Sequence, residues 1–433
     1  MVDKESVPYF PFSLIIESDV WVLHNPLLGI EEELNQAAYF VLKLCDGYRT
    51  LEEVITELSG FYGESEDVIL KRIEPMLLRY TDEGLLWWRS RRMTWWKLQP
   101  PIAVLWDLTS RCNLRCKHCV VSAGPSCPDE LSLEDCRRLI DEMSAFGVSQ
   151  LILSGGEPML RPDFFDIARY AASKSLSLQV ATNGTLIDED AAEELSRIGA
   201  FAQVSLDASS PEIHDDFRQV GGSWDRTIQG IRLLVKEKLP VTLASVVTSC
   251  NVDDIPQIYE LAAELGVQTF RILPFVPSGR GDSIRDLEIS PARMKELTGY
   301  LLKKNEEVGL DIAPMEFACT FSPPPEGKTD TDTRLGCDGG VAYCTITSKG
   351  EVLPCNYFAG AEAENVKEKD FEWIWYNSRF LNYFRSLVVS DLHGTCGECS
   401  WLSVCRGSCV AANFSHGDIF QSNRHCWLVY PKN

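Results

Sequence analysis

The sequence predicts an α/β fold: a partial (β/α)6 TIM-like barrel, with a winged-helix-like α+β domain before it and a cysteine-rich domain after it. Three observations carry this expectation. Strand and helix patterns alternate from Pro101 to Pro314, the signature of a parallel α/β domain. A short run of strands followed by helices precedes them. Eight of the 16 cysteines fall between Cys337 and Cys426, in a stretch with little periodicity. At 433 residues the chain is too long for one ordinary domain. The expected divisions are 1–88, a linker at 89–100, a barrel at 101–314 and the cysteine-rich region at 315–433.

Each element has a local reason. In the first unit, 13–16 and 20–24 read as a hairpin and 31–34 as a third strand. Helical patterns follow at 36–45, 50–62 and 66–84. Asp46-Gly47 stops the first, and Thr50 with Glu53 makes a capping box for the second. Residues 87–97 are basic and Trp-rich and lead to Pro100-Pro101, read as a linker. Barrel strands are expected at 103–108, 150–153, 177–182, 201–206, 241–247 and 269–275. Amphipathic helices are expected at 133–146, 163–173, 190–198, 225–236 and 256–265. A hairpin at 343–346 and 351–354 and a helix at 371–387 are expected near the end. Metal staples are expected to hold that last region together.

Composition excludes several functions. Hydrophobic content of 45% and charged content of 24% are those of a globular protein. The start has no basic, apolar signal pattern, and no apolar run approaches the ~18–20 residues that span a bilayer, so a cytoplasmic protein without a membrane partner is expected. The net charge of -22 argues against nucleic acid. Residues 1–88 carry 17 acidic and 6 basic residues, so this winged-helix shape is not expected to bind DNA. An acidic surface suits a basic or neutral partner such as a Lys-rich peptide. Cysteines in such number in a reducing compartment point to metal or redox use. Cys45, Cys127, Cys136, Cys250 and Cys319 are scattered singly and read as small buried hydrophobes.

Chemistry concentrates in one loop. Cys112, Cys116 and Cys119 have the spacing C-x3-C-x2-C. Structural zinc wants four closed ligands, and no fourth lies nearby. A [4Fe–4S] cube with three cysteines keeps one iron open. Further polar or glycine-rich segments follow the next strands: Gly155-Gly156-Glu157-Pro158, Asn183-Gly184 and Asp207. All sit where α/β folds place function, at the C-terminal strand ends.

This ordered set resembles the radical S-adenosylmethionine superfamily. The resemblance implies that the open iron binds the methionine end of S-adenosylmethionine, whose reductive cleavage gives a 5′-deoxyadenosyl radical that abstracts hydrogen. It places His118 by the adenine, Gly155, Gly156 and Glu157 at the amino group, and Asn183 among the cofactor contacts. Ser205 and Asp207 would lie near the ribose, and Arg218 at the carboxylate. The later cysteines resemble the SPASM extension, an iron–sulfur domain with two auxiliary [4Fe–4S] clusters. One cluster would take Cys337, Cys344, Cys355 and Cys409, the other Cys396, Cys399, Cys405 and Cys426, making three clusters in all. The pattern alone is also open to a pair of zinc ribbons. The first unit resembles the recognition domain of ribosomal peptide maturases, in which a leader peptide adds a strand to a sheet edge. Here that edge would be 31–34, beside helix 66–80.

The expected function is therefore a peptide maturase that makes a crosslink, thioether or oxidised residue, supplied with electrons by a flavodoxin or ferredoxin. Alternatives are a haem- or cofactor-pathway oxidoreductase, a sulfatase maturase, and a non-catalytic iron–sulfur scaffold. The sulfatase group carries an Asp after the cysteine corresponding to Cys355; here Asn356 stands there. The catalytic base is unassigned; His393, Tyr343 and Asp338 read as structural.

Overall fold

The computed structural model describes residues 4–10, 13–17, 20–25, 30–45, 49–83, 85–89, 98–125, 127–308, 310–312 and 334–429. The first unit holds β1 (Val7–Tyr9), a meander of β2 (Ser13–Glu17), β3 (Val20–Asn25) and β4 (Ile30–Leu34), then α1 (Gln36–Leu44), α2 (Leu51–Tyr62) and α3 (Glu66–Asp82). The capping box at Thr50 and Glu53 forms as expected. One element differs from expectation. Trp87–Arg89, read as the start of a linker, is a strand, β5, antiparallel to β1. Residues 90–97 of that stretch lie outside the described residues.

The barrel sheet is laid down in sequence: β6 (Ala103–Thr109), α4 (Leu133–Phe146), β7 (Gln150–Gly155), α5 (Phe164–Ser173), β8 (Ser177–Thr182), α6 (Glu189–Arg197) and β9 (Phe201–Ser205). There follow α7 (Pro211–Arg218), α8 (Ser223–Lys236), β10 (Val241–Val247), α9 (Ile255–Leu265), β11 (Thr269–Pro274), α10 (Pro291–Val308) and β12 (Asp311–Ile312). The six expected strands are all present. Two more strands extend the parallel array to eight: β12 at one edge and β13 (Tyr343–Ile346) beside β6 at the other. The sheet ends at β14 (Val352–Leu353), antiparallel to β13, and does not close. The expected hairpin thus becomes a wall of the barrel.

Strand alternation separates two faces. Val104, Trp106 and Leu108 join Leu151, Leu153, Val180 and Val204 in a core beneath the helices. The intervening residues face the interior, where Gln150 bonds Gln179 at 3.3 Å and Arg271 bonds Gln203 at 3.5 Å. Short glycine turns close the helices: Gly147 caps α4 at φ 101°, a left-handed conformation that costs glycine little.

In the last region α11 (Phe371–Asn377) and α12 (Arg379–Ser386) replace the single expected helix. Ser378 ends the first and caps the second, accepting from the Leu381 N–H at 3.2 Å. Two short helices, α13 (Leu402–Cys405) and α14 (Val410–Phe414), follow. The region does not rely on metal alone. Phe358 packs on Phe384, Phe414 and Phe380 with centroids 4.8, 4.9 and 5.7 Å apart. Each such ring contributes roughly 1.5–3 kcal/mol by burial. The same hydrophobic cluster contains Leu51, Val54, Leu77 and Tyr80 of the first unit. The first unit and the cysteine-rich region therefore share one core, with Lys43 and Glu362 paired across it at 2.8 Å.

Candidate functional site

The three-cysteine loop leaves the C-terminal end of β6 and is braced from four sides. Beneath it, Glu157 N donates to Arg111 O and Gly156 N to Thr109 O, both at 2.8 Å. The two glycines exist for this approach. A Cβ on Gly155 would meet Thr109 O at 2.4 Å, and one on Gly156 would meet Arg111 O at 2.2 Å. Their first duty is to admit the cysteine loop's own backbone. From α7, the carbonyls of Phe217 and Arg218 accept the Lys117 and Arg115 N–H groups at 3.0 and 3.1 Å. From the turn after β11, Arg280 donates to Cys116 O at 2.9 Å and to Ala123 O at 2.6 Å. Glu130 receives Ser110 N at 2.7 Å and Thr109 Oγ1 at 3.0 Å. Arg280 and Glu130 carry no motif; the glycines flanking Arg280 are the one sequence signal for that arginine, and Glu130 has none.

Glu157 is fully buried. It accepts from Thr182 Oγ1 and Asn183 N, both at 2.8 Å, and burial pushes its carboxyl up to about 7. Asn183 Nδ2 donates to Asn113 Oδ1 at 2.9 Å, inside the cysteine loop, and Asn113 returns a bond to Thr185 at 2.8 Å. Asn113, Thr182 and Thr185 thus join the candidate site. Ser205, by alternation along β9, faces the interior.

Behind the loop lies a buried ion pair. Arg218 holds Asp207 Oδ2 at 2.6 Å, and its Nη1 lies 3.7 Å from Cys116 Sγ. Burial, the largest single influence, would raise the Asp207 carboxyl, but the Arg218 guanidinium together with smaller favourable contacts, among them the Val246 N–H, holds the group below the usual range. His118 stacks on Phe217 at 4.3 Å and lies 3.8 Å from Asp207. Burial lowers its imidazole to about 3, so the ring is neutral.

The thiols fit a cationic cluster. Burial raises Cys112 to about 11, so the thiolates that ligation requires need a bound positive charge. Donors already point at the sulfurs: Leu114 N at 3.4 Å from Cys112 Sγ and Ala123 N at 3.3 Å from Cys119 Sγ. Farther on, Cys396, Cys399, Cys405 and Cys426 line one small cavity of ≈ 20 Å³. Cys337, Cys355 and Cys409 pack against the shared aromatic core, whereas Cys344 is fully buried in the barrel's core on the opposite side. The alternation of β13 sends it there. Of the single cysteines, Cys45 and Cys136 are buried as expected, Cys127 is half-buried and Cys250 is exposed; Cys319 lies outside the described residues.

Residues 106–262 match the Radical SAM superfamily, 337–400 the SPASM iron–sulfur cluster-binding domain, and 24–86 the coenzyme PQQ synthesis protein D family. The chain belongs to the radical SAM superfamily. A Methanosarcina barkeri AdoMet-dependent heme synthase is 34% identical over 340 residues, covering 75% of this chain and 96% of that one. The mycofactocin maturase MftC of Mycobacterium tuberculosis is 32% identical over 327 residues, covering 74% and 81%. The crystal structure of Streptococcus suis SuiB bound to S-adenosylmethionine superposes with a TM-score of 0.63 at 18% identity, over 95% of this chain and 99% of that one. The superfamily assignment makes this chain an enzyme of radical chemistry that uses S-adenosylmethionine and [4Fe–4S] clusters. Cys112, Cys116 and Cys119 would hold such a cluster, which would supply the electron for S-adenosylmethionine cleavage. The chain's own residues hold that loop, present Glu157 and Asn183 to the rim, and keep a guanidinium against Cys116. Among the described residues, no helix is long and apolar enough to cross a membrane.

Proposed function

We propose that this radical SAM enzyme is a maturase of a ribosomally made peptide. The observation that carries the reading is the first unit. It matches the coenzyme PQQ synthesis protein D family and shares one hydrophobic core with the cysteine-rich region, so what docks on it is held at a fixed place relative to the barrel. The leader would add a strand to the β4 edge, beside α3, where Arg79 holds Glu32 at 2.6 Å. The core would enter the barrel mouth and lose a hydrogen atom, giving a crosslink, thioether or oxidised residue. The assignment of three [4Fe–4S] clusters, on the three loop cysteines and on the two sets of four, belongs to this proposal, and the set with Cys337, Cys355 and Cys409 requires Cys344 to turn out of the barrel core toward them. So do the cofactor contacts from His118, Gly155, Gly156, Glu157, Asn183, Ser205, Asp207 and Arg218, and a flavodoxin or ferredoxin as electron donor in the cytoplasm. Fully ligated auxiliary clusters suit uptake of the substrate radical's electron.

The test is direct. Short reading frames flanking the gene are sought, and the reconstituted full chain is mixed with the peptides they encode. The reading expects binding, 5′-deoxyadenosine release and a mass change in one of them. If none of them binds or changes mass, the reading is defeated.

A second reading is favoured by the 34% identity to a heme synthase: a small-molecule oxidoreductase acting on a tetrapyrrole. Turnover of Fe-coproporphyrin III in place of the peptide would select it.

A further inference from the structure

A cavity of ≈ 210 Å³ opens inside the barrel mouth, between the end of β6 and the β13–β14 hairpin. Asp107, Val121, Gly155, Thr345, Lys349 and Glu351 are among its walls. Val121 is two residues beyond Cys119, so the cavity adjoins the cysteine loop. Alternation explains what faces it. Trp106 and Leu108 point to the helices, so Asp107 between them points inward, as Thr345 does on β13 between Cys344 and Ile346. Asp107 is 8% exposed. Its carboxylate makes no hydrogen bond or ion pair among the described residues, and desolvation alone pushes it up to about 7. Buried carboxylates are normally partnered, because desolvation costs several kcal/mol otherwise. Glu157 and Asp207, the neighbouring buried carboxylates, both have protein partners; Asp107 has a cavity.

We propose that Asp107 is the residue that takes hold of the substrate inside the barrel, accepting hydrogen bonds from a nitrogen donor: an amide, ammonium or guanidinium N–H. The cavity has room for one side chain of a peptide, not for a whole cofactor, whose pockets run to ~300–1,000 Å³. Such a donor restores the missing partner, and a cationic one also offsets the negative charge of Asp107 and Glu351 against the single Lys349. The proposal rests on the maturase reading and deepens it by naming a substrate contact.

The experiment compares holoenzyme and Asp107→Asn on the neighbouring-frame peptide and measures modified peptide formed per 5′-deoxyadenosine released. A merely structural defect lowers both quantities together and leaves the ratio alone. A lost substrate contact lowers the ratio, because the radical is quenched without productive transfer. The expected result is a fall of at least tenfold in the ratio, with Asp107→Glu staying within about threefold of wild type. A ratio within twofold of wild type for Asp107→Asn overturns the proposal. Should that variant not fold, Asp107→Ser is read in the same way. A wild type that leaves the peptide unchanged but turns over Fe-coproporphyrin III overturns the maturase reading and with it the Asp107 contact, since a metallated tetrapyrrole offers no ring N–H and exceeds the ≈ 210 Å³ cavity; a modified peptide with an unchanged ratio overturns the contact alone. A wild type inert toward both overturns both.

Discussion

Arg218 reaches two groups at once: Asp207 Oδ2 at 2.6 Å and Cys116 Sγ at 3.7 Å, with both charged partners almost wholly buried. The barrel's fourth α-helix in sequence order, α7, is thereby locked to the cysteine loop through a single guanidinium. Removing one member leaves the other as an unpaired buried charge, which costs ~3–5 kcal/mol. Arg218→Met should lower unfolding free energy by about that amount in urea titration. Arg218→Met with Asp207→Asn should recover a large part. Equal stability of single and double variants would show the pair is not coupled.

Gly156 is the tighter of the two loop glycines. Its Cβ would lie 2.2 Å from the Arg111 carbonyl, and backbone cannot step aside as a flexible side chain can. Gly156→Ala should displace the loop from β7 and reduce iron incorporation at the three loop cysteines, with Tm lowered by several degrees. Iron analysis and thermal unfolding of the same sample check this. Unchanged iron would mean the loop tolerates the shift.

Cys399 lines one cavity with Cys396, Cys405 and Cys426. Cys399→Ala should remove about four iron atoms per chain if one cubane sits there. Iron-to-protein ratio and the intensity of the reduced-cluster EPR signal read the result. Zinc in their place would return the alternative of a zinc ribbon.

Asp107 titrates against the fold. Its carboxyl lies near 7 when folded and at ~4 when unfolded. The folded chain therefore holds a proton that the unfolded chain releases. This contribution is fully present below about pH 4 and is lost as pH rises through about 7. Asp107→Asn, which cannot ionise, should gain on wild type by at least about 1 kcal/mol between pH 5 and pH 8, since each pKa unit is worth about 1.4 kcal/mol. Melting curves of both proteins at the two pH values check it; a constant difference would place Asp107 in contact with water or a partner.

Phe358 sits in the core shared by the first unit and the cysteine-rich region, packed on Phe380, Phe384 and Phe414. Phe358→Ala should cost ~3–5 kcal/mol and loosen both parts together. Breaking the surface pair with Lys43→Ala should cost only ~0–1 kcal/mol. Hydrogen exchange that rises in α12 and leaves the first unit unchanged would argue that the two parts do not share a core.

Most of the fold was legible locally. Period-2 and period-3.6 patterns fall where β6 to β11 and their helices form, because each buries one face against the next element. The capping box at Thr50 was legible for the same local reason. Elements set by distant partners were not. Residues 87–89 become a strand only because Val7–Tyr9 lies alongside. The expected helix 371–387 breaks at Ser378, whose hydroxyl starts a second helix.

The candidate site divides the same way. Cys112, Cys116 and Cys119, and the order of Glu157, Asn183, Asp207 and Arg218 behind them, were set by the sequence, since ligand spacing within a loop is local. Only the tertiary structure could show that Gly155 and Gly156 admit the loop's own backbone, that Arg280 clamps it from 161 residues beyond Cys119, and that β13 lays itself beside β6. These are contacts between segments far apart in the chain, and no local pattern encodes where a distant backbone will arrive. The cavity at Asp107 exists for that reason alone: one wall comes from β6, the other from a hairpin more than two hundred residues later.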